Sequence, residues 1–153
     1  MHHHRQEHEE TQELLFHVLE MQKEESPKGS VDMAMTVHLL AEHYRVLGHA
    51  KDAQQMYEAA LTMQSTLVGK RDPGYLKMAH DFARHLAQAG HLEEAAERLR
   101  DVVKQREDIL GPAHPDVAVS LRLLSDVYTH QKCFDEAQAV SDRANVLLHA
   151  FVV

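Results

Sequence analysis

Fourteen histidines and one cysteine are the side chains in this sequence that could bind a metal ion or carry out nucleophilic chemistry. Zinc sites need imidazole or thiolate groups that converge on one point, as histidines four residues apart do on a helix. The pairs His38/His43 and His80/His85 are instead five residues apart, which places their side chains about 140° from each other around a helix. The spacing therefore predicts no metal site.

Enzymatic chemistry has no recognisable motif in the sequence. There is no glycine-rich phosphate loop, no strand-to-helix serine elbow and no His-Glu-x-x-His motif. Cys133 is the only cysteine, and no motif places a base beside it, so we interpret it as a structural thiol. We predict no catalytic residue and no cofactor, and therefore that the protein is not an enzyme.

Charge and composition exclude further classes of protein. The chain has 24 acidic and 16 basic residues, a net charge of −8, which disfavours binding to nucleic acid because phosphate attracts an excess of Lys and Arg. No apolar run approaches the roughly 18 residues of a membrane-spanning helix. A single cysteine fits a reducing compartment, and we predict a cytoplasmic location. Six glycines, four prolines and 5% aromatic residues favour an all-α fold.

The sequence contains a repeat of 42 residues, and its structural elements must position any binding residue. Ala53, Ala95 and Ala137 are spaced by 42, and each follows an acidic residue. Further matches at the same spacing are Leu40, Phe82 and Leu124, then Gly48 and Gly90, then Pro73 and Pro115. A fixed period of this length is typical of stacked structural units.

Each repeat is predicted to form two helices. Proline suits the first turn of a helix, and glycine suits the left-handed residue that ends one, so Pro73 and Gly90 bracket a first helix. His114 precedes Pro115 and is predicted to cap the next first helix. The second helices are predicted at about 51–68, 93–110 and 135–150.

Three segments carry a resemblance to a known family: GHAKDAQQMYEAALTMQSTLVG, GHLEEAAERLRDVVKQREDILG and LGPAHPDVAVSLRLLSDVYTHQKCFDEAQ. They resemble tetratricopeptide repeats (TPRs), specifically the 42-residue variety of kinesin light chains. The resemblance implies an α-α superhelix, the TPR solenoid, with about seven antiparallel helices. It also implies that the first helix of each pair lines a concave face.

The domain organisation follows from the repeat. Residues 1–8 are predicted to be disordered or tag-like, and 9–153 to form a single TPR domain. Within it we predict a leading helix at 9–24, the second helix of a truncated repeat, which serves as a polar cap. Three repeats then follow at about 31–72, 73–114 and 115–153.

The register of the family implies which residues line the concave face and bind a partner. Those residues include four basic and two acidic side chains in a chain of net charge −8, a local excess that attracts acidic segments. We predict a non-enzymatic interaction scaffold or adaptor that binds a partner protein or an acidic peptide on this face. The predicted partner-binding residues are His38, Glu42, Arg45, Lys77, His80, Arg84, Gln88, Arg122, Asp126 and His130.

A second function remains open at the C-terminal end. The segment NVLLHAFVV is apolar and has no following helix in the sequence to cover it. It favours a structural self-assembly module that forms a homo-oligomer through Leu147, Leu148 and Phe151.

Overall fold

The computed structural model describes the backbone of residues 2–149 and the side chains of residues 5–149. It is all-helical over those residues, which confirms the predicted fold class. Its seven helices are α1 His2–Glu25, α2 Val31–Val46, α3 Ala50–Val68, α4 Pro73–Gln88, α5 Leu92–Leu110, α6 Pro115–His130 and α7 Phe134–His149.

The chain divides into two compact units, the first ending at Met78 and the second beginning at Ala79, within α4. In the first unit α1 packs against α2, and α2 packs against α3. In the second unit α6 packs against both α5 and α7. The single domain over 9–153 and its three repeats stay a prediction.

The predicted second helices of the repeats agree with α3, α5 and α7 to within one residue at each end, except that the predicted end of the last one, residue 150, lies outside the described residues. The leading helix differs more, because α1 begins at His2 rather than at Glu9. Local pairs support this longer helix: Arg5 Nε lies 3.6 Å from a carboxylate oxygen of Glu9, and the Thr11 hydroxyl donates to the Glu7 carbonyl at 2.8 Å. An ion pair between side chains four residues apart, such as Arg5 and Glu9, stabilises a helix surface.

Small residues hold the paired helices together in both units. In the first unit Ala41 of α2 and Ala53 and Ala60 of α3 are completely buried, together with the Tyr57 ring. In the second unit Ala95 of α5 is completely buried. Side chains of this size let two helices approach closely, as the repeated alanines predict.

The second unit has a further apolar cluster toward its C-terminal end. Its buried members are Val103, Val117, Leu121 and Ala144, and the half-buried Leu147 packs against them. Burial of apolar surface of this kind is the main stabilising contribution to such a helical unit.

The ends of α2, α4 and α6 have one shared geometry. Gly48, Gly90 and Lys132 all adopt a positive φ, at 85°, 90° and 64°. At each end the amide of this residue donates to the carbonyl three residues back, and the next amide donates to the carbonyl five residues before it. This is the Schellman arrangement, which satisfies carbonyls left free at the helix end. Glycine adopts it freely, whereas Lys132 does so against a steric penalty.

The start of α6 confirms the predicted cap. The His114 imidazole accepts a hydrogen bond from the Asp116 amide at 3.1 Å, and Pro115 occupies the first turn. None of the helices within residues 2–149 is both long and apolar enough to span a membrane.

Replacing Lys132 by glycine tests the cost of its left-handed backbone. We expect Lys132→Gly to raise the free energy of unfolding by about 1 kcal/mol, because an L-residue pays roughly 1–2 kcal/mol there and glycine recovers part of it. Urea unfolding followed by circular dichroism measures the change. The matched control is Lys104→Gly inside α5, expected to lower stability by about 0.5–1 kcal/mol. A loss of stability in Lys132→Gly would contradict the assignment.

Candidate functional site

A cleft of about 320 Å³ lies between α4 and α6 in the second unit. We call it the α4/α6 cleft. Four of the ten predicted partner-binding residues line it, two from each helix. Its lining residues are Arg84, Ala87, Gln88, Leu92, Leu123, Asp126, Val127 and His130.

The floor and the rim of the α4/α6 cleft differ in chemistry. Leu92, Leu123 and Val127 supply apolar surface, while the charged and amide groups come from the ends of the two helices. Binding sites commonly combine an apolar floor with a few polar groups that fix orientation. The arrangement suits an apolar side chain of a partner with a polar or charged group beside it.

An ion pair fixes the orientation of Arg84. Its guanidinium donates to the Asp81 carboxylate, with NH2 at 2.9 Å from Oδ1. Asp81 is buried, whereas the Arg84 side chain is 39% exposed. The guanidinium is therefore held at the rim by a carboxylate inside the protein, and its exposed part can face a ligand.

A hydrogen bond to the backbone determines what His130 offers to a ligand. Its Nδ1 lies 2.7 Å from the carbonyl oxygen of Asp126. Since a carbonyl only accepts, Nδ1 carries the proton of this bond. Nε2 is then the nitrogen that can accept from a ligand, or donate to it once the ring is protonated.

A buried polar cluster connects the two helices of the cleft to α5, outside the cleft lining. Arg106 of α5 donates through NH1 to Ser120 Oγ at 2.8 Å and to the Asp116 carbonyl at 3.0 Å. Ser120 Oγ also lies 3.1 Å from Nδ1 of His80, whose ring is buried. Burial lowers the pKa of Arg106, and the nearby carboxylates of Asp116 and Asp81 oppose that shift. The cluster joins α4, α5 and α6 within the second unit.

The remaining predicted residues occupy other environments. In the first unit His38 is buried, and Glu42 accepts hydrogen bonds from Arg45 at 2.8 Å and from the Tyr57 hydroxyl at 2.7 Å. Burial and the Glu42 carboxylate together raise the pKa of Tyr57. Lys77 and Arg122 are exposed, on α4 and α6.

Sequence reasoning did not identify Arg106 and Ser120. A signal was present in the repeat, because Ser120 stands 42 residues after Met78, which is buried in the preceding copy. Arg106 likewise stands 42 residues after Gln64, a buried amide. A polar residue at a register position that is buried in another copy indicates an internal hydrogen bond.

The comparison with family models identifies this repeat. Residues 32–108, half of the chain, match the tetratricopeptide repeat. The chain belongs to the tetratricopeptide repeat family. Solved structures support the same fold: a Podosopora anserina protein with nearly identical TPR-like repeats of the kinesin light chain type is 24% identical, with a TM-score of 0.79 over 94% of this chain and 68% of that one.

Further proteins that are longer than this chain are similar to it. BtubC (BKLC) from P. vanneervenii has a TM-score of 0.84 at 20% identity, over 92% of this chain and 56% of its own. The secreted RxLR effector protein RXLR-C07 of Plasmopara halstedii is 32% identical over 62% of this TPR chain, and rat tetratricopeptide repeat protein 23 is 25% identical over 71%. The chain spans about a quarter of these two curated relatives, 27% and 24% of their lengths.

Removing the Ser120 hydroxyl tests the buried cluster of this TPR protein. We expect Ser120→Ala to lower the free energy of unfolding by about 1–3 kcal/mol, because the buried Arg106 guanidinium loses an acceptor. Ser141→Ala, on α7 and outside the cluster, is the control and is expected to change it by less than about 0.5 kcal/mol. Equal stability of the two variants in denaturant melts would show that Ser120 contributes nothing to the cluster.

Proposed function

We propose that this protein is a non-enzymatic scaffold or adaptor that binds a partner protein or an acidic peptide in the α4/α6 cleft. Tetratricopeptide repeats support protein–protein interaction in general. The observation that supports the specific proposal is the cleft itself, which has an apolar floor and is lined by four of the ten residues predicted to bind a partner.

Charge supports an acidic ligand. Arg84 and Asp126 line the cleft, Arg122 is exposed on α6 outside its lining, and Asp81 pairs with Arg84. These four side chains sum to a net charge of zero (two positive, two negative) in a chain that carries −8. A region that is positive relative to its own protein attracts acidic segments and speeds their association. The cleft also holds no asparagine, the residue whose amide can both donate to and accept from a peptide backbone. Charge and shape then provide the affinity, which we expect in the micromolar range.

The proposed location and chemistry follow from the sequence. A single cysteine fits a reducing compartment such as the cytoplasm, and the acidic net charge disfavours nucleic acid as the partner. The residues of the cleft are assigned to binding, with no catalytic role.

Binding of labelled acidic peptides tests the proposal. A library of fluorescein-labelled acidic peptides is screened against the chain by fluorescence anisotropy, and the best binder is titrated against a Gln88→Glu, His130→Glu double variant. We expect this variant to bind about 3- to 30-fold more weakly, because each unfavourable charge contributes about 0.3–1 kcal/mol. Binding to the wild type should also weaken as salt rises.

The control for this experiment is Lys104→Glu. Lys104 is exposed on α5 and does not line the cleft, and its reversal changes the net charge by −2, as the double variant does. We expect Lys104→Glu to bind almost as tightly as the wild type. A double variant that binds no more weakly than Lys104→Glu would move the interface away from the α4/α6 cleft.

Self-assembly is the second candidate function, and exposed apolar residues on α7 favour it. Val146 is 68% exposed, while the neighbouring Leu147 packs inward and Leu148 is half-buried. Phe151 lies outside the described residues. Sedimentation velocity of the wild type and of Val146→Asp distinguishes the candidates. We expect the two to have the same mass under the scaffold proposal, and a mass that falls only in Val146→Asp would favour self-assembly.

A further inference from the structure

Two histidines from different helices are in direct contact in the first unit. Nδ1 of His8 on α1 lies 2.8 Å from Nδ1 of His43 on α2, and the ring centroids are 5.0 Å apart. Both side chains are half-buried. A hydrogen bond between two imidazole nitrogens needs one N–H and one lone pair, so at least one of the two rings is neutral.

The position of this pair lets it influence how α1 packs against α2. The chain turns between α1 and α2 at residues 26–30, so His8 and His43 lie at the far, open end of the helical hairpin. On α1 Phe16 and the buried Leu19 lie closer to the turn than His8 does, and the Phe16 ring makes an edge contact at 6.5 Å with Tyr44, the residue after His43 on α2. The histidine pair therefore joins the open end of α1 to α2.

The charged groups around His43 on α2 and α3 are already paired. Glu42 is the carboxylate that acts on His43, and it accepts hydrogen bonds from Arg45 and from Tyr57 of α3. Burial and the charge of His8 lower the pKa of His43, and Glu42 opposes them without reversing the shift.

The neighbouring charged side chains on α1 are exposed to solvent. Arg5 pairs with Glu9 along the helix surface, and both side chains are more than half exposed. Glu7 is exposed on the same helix, and its carbonyl accepts from Thr11. Exposed carboxylates of this kind are screened by solvent and compensate little for a second positive charge at the histidine pair.

We propose that the His8–His43 pair is a pH-sensitive latch that holds α1 against α2 near neutral pH and releases it as the solution becomes acidic. Protonation of both rings removes the lone pair that accepts the hydrogen bond and places two cations in contact. Undocking separates them and lets water solvate each imidazolium.

The sign of the effect follows from proton binding. His43 has a lowered pKa when α1 is docked, so the docked state binds fewer protons than the undocked state below about pH 6.5, the ordinary histidine value. The histidine pair stabilises the docked state fully above about pH 6.5, and this stabilisation is lost as the pH falls. The docking equilibrium weakens by up to about tenfold for each unit by which the pKa is lowered.

Hydrogen exchange of the full chain at about pH 7.5 and about pH 5.5 tests the latch. Exchange rates of α1 amides are corrected for the intrinsic effect of pH and compared with those of α3 in the same unit. Every sample contains a chelator, so that no metal ion bridges the two imidazoles. We expect the protection of α1 to fall by about 3- to 10-fold on acidification relative to that of α3, because one histidine of ordinary reference pKa can contribute at most about tenfold at pH 5.5.

Two asparagine variants locate the effect. His8→Asn keeps a hydrogen-bonding group near the place of Nδ1 but does not titrate, and we expect it to remove most of the pH-dependent loss of protection. His17→Asn is the matched control, since His17 is exposed on the same helix, and we expect it to behave as the wild type does. Circular dichroism at both pH values verifies that each variant is folded.

Three results would overturn the proposal. The first is a wild type in which α1 and α3 lose protection equally on acidification. The second is a folded His8→Asn variant that retains the wild-type loss. The third is a His17→Asn variant that removes the loss as effectively as His8→Asn does, because the effect would then belong to the helix and not to the contact.

Discussion

Each repeat buries an alanine near the start of its second helix, where only a small side chain lets two helices cross closely. Ala53 and Ala95 are completely buried, and Ala137 is 5% exposed, at equivalent positions of the three copies. Interhelical distances of about 8–10 Å require small side chains at the crossing. This approach sets the orientation of each first helix, and hence which of its residues face outward. The α4/α6 cleft depends on it.

Both units contain paired polar groups on their first helices, half-buried in the first unit and buried in the second, and these make the arrangement specific. In the first unit Glu42 joins Arg45 and Tyr57, and in the second Ser120 joins Arg106 and His80. A buried polar group is costly unless it is paired, so each network favours one arrangement of its helices over others that bury the same apolar area. A buried group also orients a surface residue in the same way, because the Asp81 carboxylate accepts a hydrogen bond from Arg84 and holds it at the rim of the cleft.

The helices could be predicted because their signals are local and recur, alanine in all three copies and proline and glycine in two copies each. Proline, glycine and alanine at 42-residue spacing locate α3, α5 and α7 to within a residue, since each acts on the backbone where it stands.

The burial of individual side chains was harder to predict from the sequence. His38 and His80 occupy predicted binding positions and are nevertheless buried, because each meets groups that are distant in the sequence. The start of α1 was missed for a similar reason: its first turns include a residue that contacts His43, 35 positions away.

Lys132 also bears on how a chain of duplicated segments can diverge. Two copies keep glycine at this place, and the third keeps the backbone conformation and both hydrogen bonds with a lysine. All three copies keep alanine at the crossing. After duplication, then, a helix end can exchange its residue for a modest energetic penalty, whereas the crossing is constrained by the volume between two backbones. Substitutions should accumulate in copies of this unit first at the turns and last at the crossings.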